Sequence, residues 1–123
     1  MATQKDKALE FLKRVVKGDC REAFRLFISP GFKHHNAFFK GDGHSLMTAM
    51  EEAAKTNPGK ILEIQRAIEE GDLVAVHSRL IQDPEDQGMA VMHIFRFNEG
   101  KIAELWDFAQ AVPAELVNEN GMF

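Results

Sequence analysis

The hydrophobic pattern of this chain changes its period once, near residue 60, and this change constrains the fold more than any other feature. Before it, apolar residues recur every three or four positions, which is typical of helices with one buried face. After it, apolar and polar residues alternate, which is typical of strands with one buried face. Helices followed by strands predict an α+β fold, in which helices cover one face of an antiparallel sheet.

Three helices are predicted in the first half of the chain. The first covers residues 3–17, with Gly18 as its stop signal. The second begins at Asp19 and ends before Pro30, and the third covers residues 42–56. Together they supply the apolar faces that would pack on the sheet.

Four long strands are predicted in the second half, over residues 61–70, 73–82, 89–98 and 101–112. Gly71 and Asp72 suit a two-residue hairpin loop, and residues 98–100 suit a three-residue loop with Gly100 in the left-handed position. Strands of this length must twist and curve strongly. We therefore expect a meander of at least four strands, with a pocket at one end between sheet and helices.

Length and composition narrow the class of protein. The 123 residues suit a single domain over residues 1–123, and the net charge of -4 without a basic segment argues against nucleic-acid binding. The N-terminal segment is charged where a secretion signal would be apolar, and no segment approaches the roughly 20 apolar residues of a membrane span. We expect a cytoplasmic protein without a membrane partner. The single cysteine, Cys20, excludes internal disulfides.

The segment 32-FKHHNAFF-39 raises the question of metal binding, because two of the five histidines are adjacent in it. A cupin-type site needs two histidines two positions apart on one strand, together with a carboxylate, and this chain lacks that spacing. We expect no metal. Adjacent side chains diverge, so one of these histidines should face inward and the other solvent.

Strand alternation predicts where the other polar candidates point. His93 shares the more apolar face of its strand, so it should face the helices. His77 lies on a strand predicted to be adjacent, so both histidines could line one cavity; the alternative is that each is a hydrogen-bonded wall residue. On the last strand either Glu104 or Asp107 enters the cavity, unless a bulge admits both. A carboxyl group beside Trp106 would be desolvated, which suits general acid or base chemistry.

The face opposite to the histidines is also apolar. The residues that define it are Val74, Val76 and Leu80 on one strand, or Ala90, Met92 and Ile94 on the next. An exposed apolar sheet face suggests a partner subunit, so we predict a homodimer that packs through the sheet.

Several segments, in order along the chain, resemble the SnoaL-like polyketide cyclase family within the nuclear transport factor 2-like superfamily. They are 35-HNAF-38, 41-GDG-43, 70-EGDLVAVH-77, 94-IFRFNEGKIAELWD-107 and 110-QAVP-113. The resemblance implies a cone of helices closed by a curved antiparallel sheet, often dimeric, with the active pocket inside the cone. It also implies aldol-type ring closure by acid/base side chains, with no metal or cofactor.

The resemblance implies that Asp107 is the key carboxylate and that His35, Asn36 and His77 are polar pocket residues. Relatives commonly have an aspartate where this chain has His93, and this departure changes the charge of the site. We therefore predict a small enzyme, without a cofactor, that acts on a hydrophobic carbonyl compound. Asp107 would remove a proton α to the carbonyl, His93 or His77 would donate to the enolate oxygen, and His35 and Asn36 would orient the substrate.

The rest of the predicted pocket is apolar, and His34 is expected to face solvent. The predicted walls are Phe38, Phe39, Met50, Met92 or Phe95, and Trp106. Two alternatives stay open: a hydrolase or isomerase of the same fold, and a module that binds a small ligand without catalysis.

Overall fold

The computed structural model describes residues 2–123, in which three helices pack on one face of a five-stranded sheet. The elements are α1 Gln4–Val16, α2 Cys20–Phe27, β1 Ile28–His34, α3 Gly43–Thr56, β2 Ile61–Glu70, β3 Leu73–Ile81, β4 Met89–Asn98 and β5 Lys101–Ala111. The strand order across the sheet is β1-β5-β4-β3-β2. The predicted α+β fold is confirmed. None of the helices in residues 2–123 is both long and apolar enough to cross a bilayer.

Helices α1 and α3 begin where the sequence predicts, because capping side chains fix their first turns. At α1 the Thr3 hydroxyl accepts from the Asp6 amide and the Asp6 carboxylate accepts from the Thr3 amide, both at 3.0 Å. At α3 the Asp42 carboxylate accepts from the Ser45 amide at 2.9 Å. Each bond satisfies a backbone donor that the first turn of a helix leaves unpaired.

The first strand, β1, was not predicted, and it makes the sheet mixed instead of purely antiparallel. It lies parallel to β5, with Ile28 opposite Ile102 and His34 opposite Leu105. The register shifts between Ile28 and Lys33, which is where Pro30 lies. Proline has no amide hydrogen to donate, and it is tolerated here because β1 is an edge strand.

The hairpin between β4 and β5 has a two-residue loop, so the predicted three-residue loop is wrong. Asn98 pairs with Lys101, and the residues between them, Glu99 and Gly100, have φ values of 51° and 79°. Positive φ at both central positions is typical of a type I′ turn, which matches the twist of the flanking strands.

A bulge follows this turn and determines which side chains of β5 face the helices. Arg96 pairs with Glu104 but Phe97 pairs with Ile102, so Ala103 has no partner of its own. Ile102 and Leu105 are both almost fully buried although they are an odd number of positions, three, apart in the chain. The bulge thus resets the alternation of β5 before the polar part of the strand begins.

Aromatic packing fills one end of the space between helices and sheet. The Phe11 ring of α1 contacts Phe24 and Phe27 of α2 and Phe95 of β4, with ring centroids 5.4, 6.5 and 6.0 Å away. Phe11 is fully buried, and truncation of such a phenylalanine to alanine typically costs about 3–5 kcal/mol. This aromatic packing joins α1 and α2 to the sheet, and the cavity lies toward the C-terminal end of α1.

Candidate functional site

A cavity of about 200 Å³ lies between the helices and the inner face of the sheet. Its apolar lining comes from Leu12, Val15 and Val16 of α1, Met50 and Ala53 of α3, and Leu62, Leu80, Met89, Val91 and Ala109 of the strands. Its polar lining consists of Lys60, His93 and Asp107. A larger and more open cavity, of about 390 Å³, shares Asp107 and Val91 with it and extends to the loop residues 35–38.

His93 and Asp107 are directly opposite each other on β4 and β5. Residues paired in this way in an antiparallel ladder have Cβ atoms about 4.5–5.5 Å apart on the same face. His93 Nδ1 and Asp107 Oδ1 are both buried, and neither has a hydrogen-bond partner within residues 2–123. Each side chain therefore presents a polar atom that a ligand could satisfy.

Asn36 fixes the orientation of the Asp107 carboxylate. Its Nδ2 donates to Asp107 Oδ2 at 3.2 Å, while its own Oδ1 accepts from the Phe38 amide at 2.9 Å. The loop after β1 thus holds the Asn36 amide, and the amide holds one carboxylate oxygen. The other oxygen, Oδ1, is left without a partner among the described residues.

Burial makes His93 a neutral imidazole. Desolvation lowers the pKa of His93 below its usual range, and the negative charge of Asp107 opposes this shift without reversing it. A neutral imidazole keeps one N–H donor and one acceptor nitrogen. The site thus places the carboxyl group of Asp107 beside a neutral imidazole that keeps a hydrogen-bond donor, in an apolar surrounding.

Strand alternation left open whether Glu104 or Asp107 enters the cavity. In the structure Asp107 enters it and Glu104 does not. Glu104 lies on the outer face, where its carboxylate accepts from His35 Nε2 at 2.6 Å and from Arg96 Nε at 3.0 Å. These hydrogen bonds, from His35 first, lower the pKa of Glu104. The bulge at Ala103 shifts the alternation by one residue, so Leu105 and Asp107 follow Ile102 on the inner face and Glu104 turns outward.

The expected orientations of His34 and His35 are wrong: His34 is buried and His35 is exposed. His34 is 5% exposed; its Nε2 donates to the Lys40 carbonyl at 2.5 Å and its Nδ1 accepts from the Asn36 amide at 3.1 Å. His35 is exposed on the outer side, stacked on Trp106 with ring centroids 5.2 Å apart, and reaches only the larger, more open cavity and the outer surface. The alternation of β1 explains this, because Phe32 and His34 are buried while Lys33 is exposed.

The expectation that His77 and His93 line one cavity is also wrong. His93 lies opposite Val76 on β3, whereas His77 lies opposite Met92, so the two imidazoles point to opposite faces. Arg66 donates to His77 Nδ1, and the ring of Phe123 stacks on His77 at 5.9 Å. His77 is therefore a residue of the outer face.

The predicted apolar walls are divided between the two faces. Met50 lines the cavity and Phe38, 88% exposed, lies at the edge of the larger opening. Phe95 is fully buried in the core, where its ring stacks on His93 at 5.9 Å. Phe39 is exposed and lines neither cavity, and Trp106 and Met92 face the outer side.

Lys60 is a polar cavity residue that the sequence reasoning missed. It directly precedes β2 and has the same strand parity as the inward-facing Leu62 and Ile64. Burial lowers its pKa, and it forms no ion pair within residues 2–123. A lysine at the inward parity of a predicted strand was the signal that could have identified it.

A metal site is not evident in the described part of the chain, since no three His, Cys, Asp or Glu side chains of residues 2–123 are grouped to hold an ion. The polar groups of the cavity are one carboxylate, one imidazole and one amine. That set suits the binding and proton transfer of an organic ligand.

Comparison with known proteins places the fold. The SnoaL-like domain family matches residues 8–105. No curated protein matches the sequence significantly. Among solved structures, wild-type IdmH of Streptomyces antibioticus, a candidate polyketide cyclase, has a TM-score of 0.71 and 19% identity, with 89% of this chain and 93% of that chain covered.

Two further structures are similar to the same extent. AclR of Streptomyces galilaeus, a candidate hydroxylase, has a TM-score of 0.73 and 21% identity, covering 87% of this chain and 88% of that chain. A candidate isomerase of the SnoaL-like family from Agrobacterium tumefaciens has a TM-score of 0.73 and 15% identity, covering 89% and 100%. At such identities the likeness shows the fold and not the reaction.

Proposed function

This chain belongs to the SnoaL-like domain family, and we propose that it is an acid/base enzyme, without a cofactor, that enolises a hydrophobic carbonyl compound. The reaction would be an aldol-type cyclisation or a related proton transfer. The observation that carries the proposal is the pair of His93 and Asp107, each with a buried polar atom that lacks a partner in residues 2–123. Buried polar groups are normally satisfied, and exceptions concentrate at functional sites.

Asp107 is the base in this proposal. Its Oδ1 removes the proton α to the carbonyl, while Asn36 holds Oδ2 and so fixes the direction of the attacking oxygen. The apolar lining restricts the access of water to the free oxygen, which leaves this oxygen available to the substrate. A positioned general base of this kind contributes roughly 10²–10⁴-fold to a rate.

His93 stabilises the negative charge that the carbonyl oxygen gains as the proton leaves. Because burial keeps its imidazole neutral, its N–H donates a hydrogen bond without transferring a full charge to the site. One such donor to a developing oxyanion is worth about 2.7–4 kcal/mol in other enzymes. The proton removed by Asp107 then returns to the product or leaves through the open cavity.

The proposed reaction can be tested without knowledge of the natural substrate. β-Tetralone is hydrophobic and has acidic protons next to its carbonyl, so its exchange in deuterium oxide, followed by proton NMR, reports enolisation directly. The wild-type protein is expected to accelerate this exchange, and Asp107→Asn to lower the protein-dependent rate about 100-fold or more. His77→Gln is the matched control, because His77 lies on the other face of the sheet. Equal rates for wild type and Asp107→Asn would contradict the proposal.

A second candidate is a module that binds an apolar ligand without catalysis. The small volume of the cavity and its mostly aliphatic lining favour it. In that case β-tetralone would bind, as shown by shifts of cavity resonances in heteronuclear NMR, while wild type and Asp107→Asn would exchange its protons equally slowly.

The proposal also includes a homodimer formed through the outer face of the sheet. This face exposes apolar side chains, among them Ile68, Leu73 and Phe108, which are 62%, 41% and 64% exposed. Of the two predicted apolar sets, Val74 and Val76 are fully buried beneath the helices, so Met92 and Ile94 belong to this face. An apolar patch of this kind marks a contact surface. Multi-angle light scattering measures the mass, and a monomer at all concentrations would contradict the dimer.

A further inference from the structure

Lys60 is the one cationic side chain among the residues that line the cavity, and it forms no ion pair with a carboxylate of residues 2–123. The Lys60 residue is half-buried, so part of its side chain is removed from water. A charge removed from water without a partner costs free energy, which a ligand of opposite charge would recover.

The groups that share its surroundings are already neutral or paired. Burial raises the pKa of the Cys20 thiol, so this neighbour of Lys60 carries no negative charge at neutral pH. Glu51, which lies near the same thiol, forms an ion pair with Arg21 at 2.9 Å. The positive charge of Lys60 is therefore not paired with a carboxylate in the part of the chain that the structure describes.

The position of Lys60 relative to Asp107 defines a direction for the ligand. Lys60 stands at the start of β2 and Asp107 is on β5, with β3 and β4 between them, and both line the same cavity. The lining between them is aliphatic, from Leu62, Leu80 and Met89. An elongated molecule with an apolar body would contact both ends at once.

We propose that Lys60 binds the anionic end of the ligand, so that the cavity is built for a hydrophobic carboxylic acid. Resting on the proposed function for its other end, the ligand would be an acid whose carbonyl group, remote from the carboxylate, lies between Asp107 and His93. Lys60 is a binding residue in this arrangement and takes no part in the proton transfer. A carboxylate at Lys60 gains a charge-assisted hydrogen bond, which an uncharged group of the same shape does not.

A matched pair of probes tests this binding. Octanoate and octanamide have the same chain and nearly the same shape, but only octanoate is charged. Titration by heteronuclear NMR is expected to show that the wild-type protein binds octanoate about 10-fold or more tightly than octanamide. Equal affinity of the wild-type protein for the two probes would overturn the proposal.

Three variants assign the preference to Lys60. Lys60→Met keeps the length of the side chain and removes the charge, so it should lose the preference for octanoate while its affinity for octanamide is unchanged. Lys60→Arg should keep the preference. Asp107→Asn is the second control, because it should not weaken octanoate binding. A preference that survives in Lys60→Met, with the fold intact by NMR, would also overturn the proposal.

The same proteins separate this inference from the proposed enolisation. β-Tetralone carries no acid group, so comparing its exchange in the wild-type protein and in Asp107→Asn tests the enolisation without involving Lys60. If Lys60→Met loses the preference for octanoate but Asp107→Asn does not slow exchange, the proposed enolisation is contradicted and the acid-binding site is supported. If Lys60→Met keeps the preference but Asp107→Asn slows exchange, the enolisation is supported and the acid-binding site is contradicted.

Discussion

The two faces of the sheet each carry a histidine beside a carboxylate, but they satisfy these groups in opposite ways. On the outer face the Glu104 carboxylate accepts from both His35 and Arg96, and the His35 ring stacks on Trp106. On the inner face His93 Nδ1 and Asp107 Oδ1 are buried without partners in the described residues. A buried polar atom left unpaired costs about 1–3 kcal/mol.

This difference distinguishes a structural pair from the pair to which we assign the proposed function. The outer pair stabilises the fold, since its members satisfy each other and a cation compensates the carboxylate. The inner pair is held in place by its neighbours, with Asn36 on one carboxylate oxygen and Phe95 beneath the imidazole. It keeps hydrogen-bonding capacity that only a ligand in the cavity would use. Residue type alone would rank the two pairs equally, and only their surroundings separate them.

The largest expected effect is on the exchange rate, when the histidine on each face is replaced by glutamine. His93→Gln should lower the protein-dependent exchange of β-tetralone about 100-fold, because a flexible amide replaces a fixed donor to the enolate oxygen. His35→Gln should leave the rate within about twofold, since His35 is outside the smaller cavity. Proton NMR in deuterium oxide measures both. A greater loss in His35→Gln than in His93→Gln would reverse the assignment of the two faces.

A charge introduced on the outer face of the sheet should weaken the proposed dimer. Phe108 is 64% exposed and follows Trp106 on the same face of β5 at strand spacing. Phe108→Glu places a carboxylate in the proposed dimer contact, where a desolvated charge typically weakens association by about 2 kcal/mol or more. Sedimentation equilibrium should then show a dimer dissociation constant about 30-fold higher than that of the wild-type protein. Gln110→Glu, toward the end of the same strand face, is the charge-matched control and should change it little.

The sequence predicts most of this fold because its signals are local. The alternation in β2 to β5 and the turns at Gly71 and Gly100 place the strands, and both turn glycines have positive φ values of 59° and 79°. The sequence does not predict β1, because Pro30 interrupts its alternation and because its partner, β5, lies about seventy residues away in the chain. Pairing over such a separation leaves no pattern in a local window.

The candidate site is less predictable because it depends on strand orientation. The residues of β3 are apolar on both faces, so alternation cannot choose between His77 and Val76 as the inward side chain. The choice of Asp107 over Glu104 follows from a bulge at Ala103 that has no local sequence signal. The exchange of His34 and His35 follows once β1 is known to be a strand. Because β1 was not predicted as a strand, the orientation of its histidine was predicted wrongly as well.

The smallest expected effect is on the free energy of unfolding. Its dependence on pH should differ between the inner and the outer face. The folded protein has a lowered pKa at both His93 and Glu104. In each case the unfolded chain binds the proton more readily, so the free energy of unfolding falls as the pH falls through each transition. For His93 the loss begins below about pH 6.5, and for Glu104 below about pH 4.5, which are their ordinary values.

Two variants assign these losses to the two faces. His93→Gln should remove the decline that begins near pH 6.5 and keep the decline in acid, whereas Glu104→Gln should do the opposite. Glu104→Gln should also cost about 1 kcal/mol at neutral pH, because Arg96 and His35 lose a charged acceptor. Urea unfolding at a series of pH values measures all three proteins. Identical pH curves for the two variants would mean that the faces differ in geometry alone, and that burial does not change the protonation of His93.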